Sequence, residues 1–383
     1  MLSAAAPYCA ATRTVKELHR RLGFAHKRCV DGQVIALADY DLATFQAQLT
    51  TWGFKPSHAG SLLRAFYKDG GVISWDGQSS PKALREKIQG ESQSLTTLAA
   101  RQVAEDGTAK LLLRMADGRT VESVLMPDYR DDRAAGCISS QVGCAMGCDF
   151  CATTKTGFER NLTAGEMVEQ FLALRRQALS VGRRLQTIVF MGMGEPMLNF
   201  DNVVAAIRRI ASNDLGSLGW RQVTVSTVGI VPGIDALTAA NLNVNLAISL
   251  HAPDDATREK LIPAGRRFGI EEILAASDRF QASTGRPMII QYCLLKGVND
   301  SPEQAHQLAT VLAGRRMHVN LLHYNATGLG LRGISYEPTE RETANTFVAI
   351  LRQHHVIAHF RRSRGQDIDA ACGQLRRRHE MTQ

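Results

Sequence analysis

Apolar positions along this chain fall into two regimes. Up to about residue 100 they recur at helical spacing: 15–22, 42–52 and 58–68 each place apolar side chains on one face of a 3.6-residue turn. Ser80-Pro81-Lys82 ahead of Ala83-Leu84-Arg85-Glu86-Lys87 predicts a further helix, with Pro one residue inside a Ser cap. From Leu111 the period changes to two. Residues 111–115 and 120–126 flank Ala116-Asp117-Gly118-Arg119, and Asp-Gly between β-rich runs predicts a hairpin over 111–126. Glu122 lies among apolar residues on its second strand, where a plain edge strand needs no acid.

Beyond the hairpin, strand-like runs alternate with helical ones. The strands fall at 136–142, 185–191, 222–227, 244–250, 288–295 and 319–323. The helices fall at 164–179, 202–211, 233–240, 270–281, 302–312 and 341–354, the first opened by the capping box Thr163-Ala164-Gly165-Glu166. Six βα units in succession imply a parallel sheet, and right-handed crossovers curl it into a partial barrel, with 356–360 available to extend it. The expected class is therefore α/β. A small helical accessory domain spans 1–100 and a catalytic domain spans 101–383, made of the hairpin, a barrel core at 136–362 and a tail at 363–383.

Composition adds constraints. At 383 residues, 44% hydrophobic and 21% charged, the chain can bury a substantial core. No apolar run approaches the roughly 20 residues of a membrane span, and residues 1–14 lack the basic start and apolar core of a secretory signal. Eight Cys, three of them clustered, fit a reducing compartment better than a disulfide framework. The net charge of +8 favours a polyanionic partner, although charge alone is weak ground. Within 52–87, Lys55, His58, Arg64, Lys68, Lys82, Arg85 and Lys87 alternate with Trp52, Phe54, Phe66, Tyr67 and Trp75. Two readings stand open: a helical domain with solvated lysines, or an RNA-contacting one.

The chemistry gathers where barrels keep it, at the C-terminal ends of strands. After the first barrel strand come Cys144, Cys148 and Cys151, spaced C-x-x-x-C-x-x-C on a glycine-bearing loop. Structural zinc takes four protein ligands, and no fourth Cys or paired His follows at finger spacing. A 4Fe–4S cluster is usually held by four Cys, so three leave one iron open to another ligand. The plainer readings are a buried trio of small apolar residues or a degenerate zinc knuckle. Later strand ends carry Gly194 and Glu195, then Ser226, then Ser249-Leu250-His251, then Asn325. Near the C-terminus Cys372 lies between Arg361, Arg362 and Arg364 on one side and Arg376, Arg377 and Arg378 on the other. Cationic surroundings lower a thiol pKa; a buried Cys beside a solvated basic tail is the alternative.

Taken together, the Cys loop, Gly192-Met193-Gly194-Glu195-Pro196, Ser249-Leu250-His251-Ala252-Pro253 and the run Asp-Ile-Asp-Ala-Ala-Cys-Gly-Gln-Leu at 367–375 resemble the radical S-adenosylmethionine RNA methyltransferases of the RlmN/Cfr family. The resemblance covers about residues 52–375. It implies a partial (β/α)6 radical-SAM barrel with an N-terminal helical accessory domain that helps grip RNA. It also implies that Cys144, Cys148 and Cys151 hold one 4Fe–4S cluster. Gly194, Glu195, Ser226, Ser249, Leu250, His251 and Asn325 would bind S-adenosyl-L-methionine. Cys372 would carry the methyl group, Cys137 would release the product by forming a disulfide with it, and Glu122 would take the ring proton.

Two S-adenosylmethionine molecules are implied per turnover, one to methylate Cys372 and one to be cleaved to a 5′-deoxyadenosyl radical. Adenine carbon 2 is an amidine carbon with an unactivated C–H bond, which closes polar methyl transfer. The implied substrate is an adenosine of 23S rRNA methylated at carbon 2, with tRNA as a further candidate. Methylation at carbon 8, a radical enzyme acting on a non-RNA substrate, and a zinc-bound RNA module remain the alternatives. The implied partners include a reducing electron donor such as flavodoxin or ferredoxin, and the implied enzyme is a cytoplasmic monomer without membrane attachment. The chain departs from the family pattern in two places. Two residues are inserted between Glu122 and Cys137, and Asn325-Ala326-Thr327 stands where many members have Asn-Pro.

Overall fold

The computed structural model describes residues 35–361 and 364–368. The helix expected at 15–22 and the tail thiol Cys372 lie outside them. After a 3-10 turn at Leu37–Asp39 come α1 (Leu42–Thr51), α2 (His58–Lys68) and α3 (Lys82–Glu91). Asp41 caps α1, its carboxylate accepting the Thr44 N–H at 2.8 Å while the Thr44 hydroxyl accepts from Asp41 N. The buried stripe of α2, with Leu62, Leu63, Phe66 and Tyr67, joins the same apolar cluster as the barrel. The start of α3 differs from expectation. Pro81 itself is the N-cap residue, and the Ser80 hydroxyl is buried without a hydrogen-bond partner instead of capping.

Next, β1 (Thr96–Val103), β2 (Ala109–Met115), β3 (Thr120–Pro127) and β4 (Arg133–Cys137) pair antiparallel in succession. β1 is a strand that the periodicity did not show, and it runs across position 100, where the helical segment was set to end. A register shift between Leu98 and Ala100 breaks its alternation, so no period of two is visible. Glu169 fastens its start. That carboxylate accepts from Ser94 Oγ at 2.5 Å, Leu95 N at 2.6 Å, Thr96 N at 2.7 Å and Thr96 Oγ1 at 2.8 Å.

The run 136–142 is not one strand. β4 ends at Cys137, and the chain resumes as β5 (Gln141–Gly143), which pairs with β6 (Phe158–Asn161) in a separate two-stranded sheet. Side-chain bonds hold the break: Ser139 Oγ donates to the Glu122 carbonyl at 2.7 Å, and Ser139 N donates to Gln170 Oε1 at 2.8 Å.

The barrel follows as α4 (Ala164–Ser180), β7 (Arg184–Phe190), α5 (Phe200–Ala211), β8 (Val223–Thr227), α6 (Val231–Ala239) and β9 (Asn245–Ser249). It continues through α7 (Asp255–Leu261), α8 (Ile270–Thr284), β10 (Met288–Leu294), α9 (Pro302–Val311), β11 (Met317–His323), α10 (Arg341–Gln353) and β12 (Ile357–Arg361). The capping box at Thr163 and Glu166 opens α4 as expected.

Strand order is β1-β2-β3-β4-β7-β8-β9-β10-β11-β12. Within this sheet every pairing from β4 to β12 is parallel, so the six expected strands gain β12 as a seventh. Residues paired in register share a face. Thus Glu122, Val124, Cys137, Val189, Thr224, Ser226, Ser249, Gln291 and Asn320 lie on one inner face. The other face buries Ile188, Val225, Ile248, Ile290 and Leu321 in the apolar cluster.

Candidate active site

The C-terminal ends of the parallel strands surround a cavity of about 340 Å³. Cys144, Cys148 and Cys151 line it, together with Gly194, Glu195, Ser226, Ser249, His251 and Asn325. Leu250 does not: its side chain is buried in the apolar cluster, and only its backbone faces a neighbour, N–H donating to the Gln291 carbonyl at 3.0 Å. Cys137 and Glu122 sit on the inner face a short way down the wall, on β4 and β3.

Each strand end places its residue by a specific constraint. Gly194 has φ +98°, and a Cβ there would stand 2.5 Å from Gln141 Cβ, so the backbone touches the start of the Cys loop. Gln141 Oε1 accepts the Glu195 N–H at 2.9 Å. The Glu195 carboxylate accepts from Met197 N at 3.0 Å and Val228 N at 2.9 Å, linking the loops after β7 and β8. Burial pushes its pKa up to about 7 despite these donors. The Thr227 hydroxyl is a third donor, and one lone pair remains that could accept from an ammonium group. The Ser226 and Ser249 hydroxyls meet at 3.3 Å across β8 and β9.

His251 sits at φ +58°, an uncommon conformation for this residue type. Its Nδ1 accepts the Cys293 N–H at 2.9 Å, which leaves Nε2 as the protonated nitrogen, and its ring meets Phe150 edge-on at 5.0 Å. Burial, then the Arg258 cation, lowers its pKa to about 3, so it is neutral at ordinary pH.

Burial pushes the Cys144 thiol up to about 12 and Cys148 well above the usual thiol range. Both would ionise only against cationic charge, such as iron supplies. Arg258, almost fully buried, lies where its charge favours the Cys148 thiolate, and its Nε has no hydrogen-bond partner. A buried cation with an unsatisfied donor, acting on the Cys148 thiol, suits an anionic thiolate-bound centre. Among the described residues no group of three or more His, Cys, Asp or Glu side chains is gathered as for a single metal ion. Cys148 nevertheless feels the charge of both Cys151 and Cys144, so the three thiols stand close enough together to share one cluster. The donor set therefore fits a 4Fe–4S cluster.

These arrangements match known proteins. The Radical SAM superfamily model matches residues 138–309. The chain is 68% identical over 342 residues to the probable dual-specificity RNA methyltransferase RlmN 1 of Opitutus terrae, covering 89% of this chain and 96% of that one. It is 44% identical to the probable RlmN of Heliobacterium modesticaldum, covering 86% of each. The chain belongs to the RlmN family of radical S-adenosylmethionine RNA methyltransferases. A radical SAM methyltransferase from Sphaerobacter thermophilus has the same fold, with TM-score 0.82, 40% identity, and coverage of 89% of this chain and 98% of that one.

Several residues of this RlmN-family site were not found from sequence. Lys110, on β2, is fully buried with its Nζ 3.4 Å from Glu122 Oε2. A hairpin closed at Asp117-Gly118 sets Lys110 diagonally opposite Glu122, a cross-strand charge pair that register alone could have revealed. Cys293 lines the cavity as a buried free thiol. Arg258, Asp149 and Tyr336 left no local signal, because each acts through contacts distant in sequence.

Proposed function

We propose that this chain methylates carbon 2 of an adenosine in 23S rRNA, and an adenosine of tRNA, through a methyl group carried on Cys372. The observation that supports this most directly is Cys137 on the same inner face as Glu122, with Val124 of Glu122's strand paired to Cys137, beside the cavity lined by the Cys trio. An enzyme that only generated a radical would not need an oxidisable thiol and an acid on the inner face beside that cavity. The dual-specificity naming of the relatives supports RNA of two kinds.

Cys144, Cys148 and Cys151 would hold the cluster. Gly194, Glu195, Ser226, Ser249, His251 and Asn325 would bind S-adenosylmethionine, with Leu250 contributing backbone. When bound, these groups supply the hydrogen abstraction that polar chemistry cannot. The chain's own residues do the rest. Glu122, held as half of a buried ion pair, accepts the proton from the ring carbon. Cys137, losing its proton, then attacks the Cys372 sulfur; the carbon–sulfur bond breaks with its electron pair going to the product carbon, which takes up a proton to become the methyl group as the disulfide forms. Burial, opposed by the Met191 backbone hydrogen bond and aided by the Glu122 charge, pushes the Cys137 thiol up to about 12, so it stays protonated until a base acts. Lys110 lies where its charge favours the thiolate.

In this reading residues 1–100 help grip RNA, a flavodoxin or ferredoxin supplies the electron, and the enzyme acts as a cytoplasmic monomer. No helix among the described residues is long and apolar enough to cross a membrane. The test is the Cys137→Ala variant with 23S rRNA fragments and tRNA. A covalent protein–RNA adduct that accumulates is expected; free RNA released at the wild-type rate overturns the assignment. Mass spectrometry of the released nucleoside distinguishes 2-methyladenosine from the carbon-8 isomer.

A further inference from the structure

The segment that follows β11 is fastened to the Cys loop. Asp149, between Cys148 and Cys151, is fully buried. Its Oδ1 accepts the Arg332 N–H at 2.9 Å, and its Oδ2 accepts the Tyr336 hydroxyl at 2.7 Å. The Thr327 hydroxyl donates to the Phe150 carbonyl at 3.2 Å. At Gly330 a Cβ would stand 2.6 Å from the Asp149 carbonyl oxygen, so the two backbones are in close contact. From this held segment Leu329, Leu331 and Ile334 project into solvent, 65%, 54% and 46% exposed.

A mainly basic border flanks them, with the exposed Glu337 following on the same segment. Asp149 N–H donates to the Leu261 carbonyl, Arg332 Nη1 donates to the Lys260 carbonyl at 3.3 Å, and Pro263 lies 3.8 Å from the Cβ position of Gly147. The stretch 260–267 therefore flanks the same loop. Lys260, Arg266, Arg267 and Arg332 are exposed there, with Glu259 offsetting Arg266 at 3.4 Å. A slack loop would turn its aliphatic side chains inward. This one is held by buried bonds and cannot.

We infer that this aliphatic prong and its basic border form the docking surface for a small acidic one-electron carrier protein. The inference rests on the reading that Cys144, Cys148 and Cys151 hold a 4Fe–4S cluster. Electron transfer weakens steeply with distance, so a protein donor must meet the outer wall of the loop that carries the ligands. The prong is that wall: the Arg332 backbone bonds to the side chain of the residue next to Cys148. Redox encounters use small interfaces, below about 1,200 Å², with an apolar centre and a polar rim whose charge sets the association rate. Single-stranded RNA is the rival occupant, but it is gripped by stacking on aromatic or guanidinium planes. At the centre Leu329, Leu331 and Ile334 offer neither an aromatic ring nor a guanidinium plane; the guanidinium groups of Arg266, Arg267 and Arg332 lie only in the border. In the transfer the carrier loses one electron, the oxidised cluster gains it, and no covalent bond changes.

The test uses the full-length, cluster-loaded protein and its Leu331→Glu/Ile334→Glu variant. Each is mixed with prereduced flavodoxin, with prereduced ferredoxin, and separately with dithionite. Cluster reduction is followed by electron paramagnetic resonance, and carrier and RNA affinities by calorimetry. Expected is a loss of about tenfold or more in carrier affinity and carrier-driven reduction, with dithionite reduction and RNA affinity unchanged. Arg267→Glu should weaken carrier binding in the same direction and flatten its salt dependence. Wild-type protein that neither carrier reduces, a variant reduced at the wild-type rate by both, or a variant whose loss is in RNA affinity overturns the inference. Absence of any cluster signal with dithionite in the wild type fells the cluster reading as well, and is recognisable as such.

Discussion

Lys110 Nζ stands 3.4 Å from Glu122 Oε2 with both side chains out of solvent, so the acid on the same inner face as Cys137 is one half of a buried ion pair. Removing one partner of such a pair takes a counter-ion from a charge that stays buried, at a typical cost of about 3–5 kcal/mol. Lys110→Met is therefore expected to lower the unfolding midpoint sharply and to abolish methylation. Lys110→Met/Glu122→Gln should recover most of the stability without the activity. Thermal unfolding of the two variants checks this, and equal stability of wild type and Lys110→Met would contradict it.

Tyr336→Phe deletes the 2.7 Å bond to Asp149. A hydrogen bond to a charged group contributes about 1.5–3 kcal/mol, and here it helps hold the segment that begins with Asn325. S-adenosylmethionine affinity should fall about tenfold while iron content stays at the wild-type level. Adding Asn325→Ala should cost little more, because both changes act on one contact. Calorimetry on the single and double variants decides.

His251 gives a pH dependence whose sign can be worked out. Its folded pKa is about 3 and its unfolded value about 6.5. Below pH 6.5 the unfolded chain binds a proton that the folded chain refuses, so stability falls as pH falls. Between pH 7 and 5 the loss from this one group is about 2 kcal/mol. His251→Asn keeps a residue type that tolerates φ +58° and removes the titration. Denaturant unfolding at pH 7 and pH 5 should show the variant losing about 2 kcal/mol less than wild type.

Gly194→Ala would place a Cβ 2.5 Å from Gln141 Cβ at φ +98°. Gly182 also has positive φ, +71°, but open space around it. The backbone cost of about 1–2 kcal/mol applies to both. Only Gly194→Ala should also lose S-adenosylmethionine binding, because only there must the Gln141 contact with Glu195 move. Binding and melting measurements on the pair separate backbone strain from displacement of the site.

The parallel strands, their helices and the Cys loop were legible because each depends on local period or spacing. The run 58–68 coincides with α2, and the Asp117-Gly118 turn joins β2 to β3 as expected. What was hidden depends on distant partners. β1 is an edge strand with a register shift, so its polar and apolar positions do not alternate. The break after Cys137 is set by Gln170 and Glu122 through Ser139, which no window around 138–140 contains. Asp149 reads as a loop carboxylate, yet it is buried by a segment almost two hundred residues later in the chain. Leu250 shows the converse: its motif marks a strand end, but alternation turns its side chain away from the cavity.

Glu169 is a residue of the first barrel helix, and all four of its donors come from the three residues that lead out of the helical segment. Glu169 thus fastens the exit of the helical segment from the barrel side, alongside Arg175, which donates to the Tyr67 carbonyl at 2.9 Å, and Arg209, which donates to the Ala38 carbonyl at 3.1 Å. Those helices are not a detachable adaptor. A barrel cut so that it began after Thr96 would bare an acid that burial already holds above its ordinary pKa, so losing the helices together with their exit would cost the barrel its own stability.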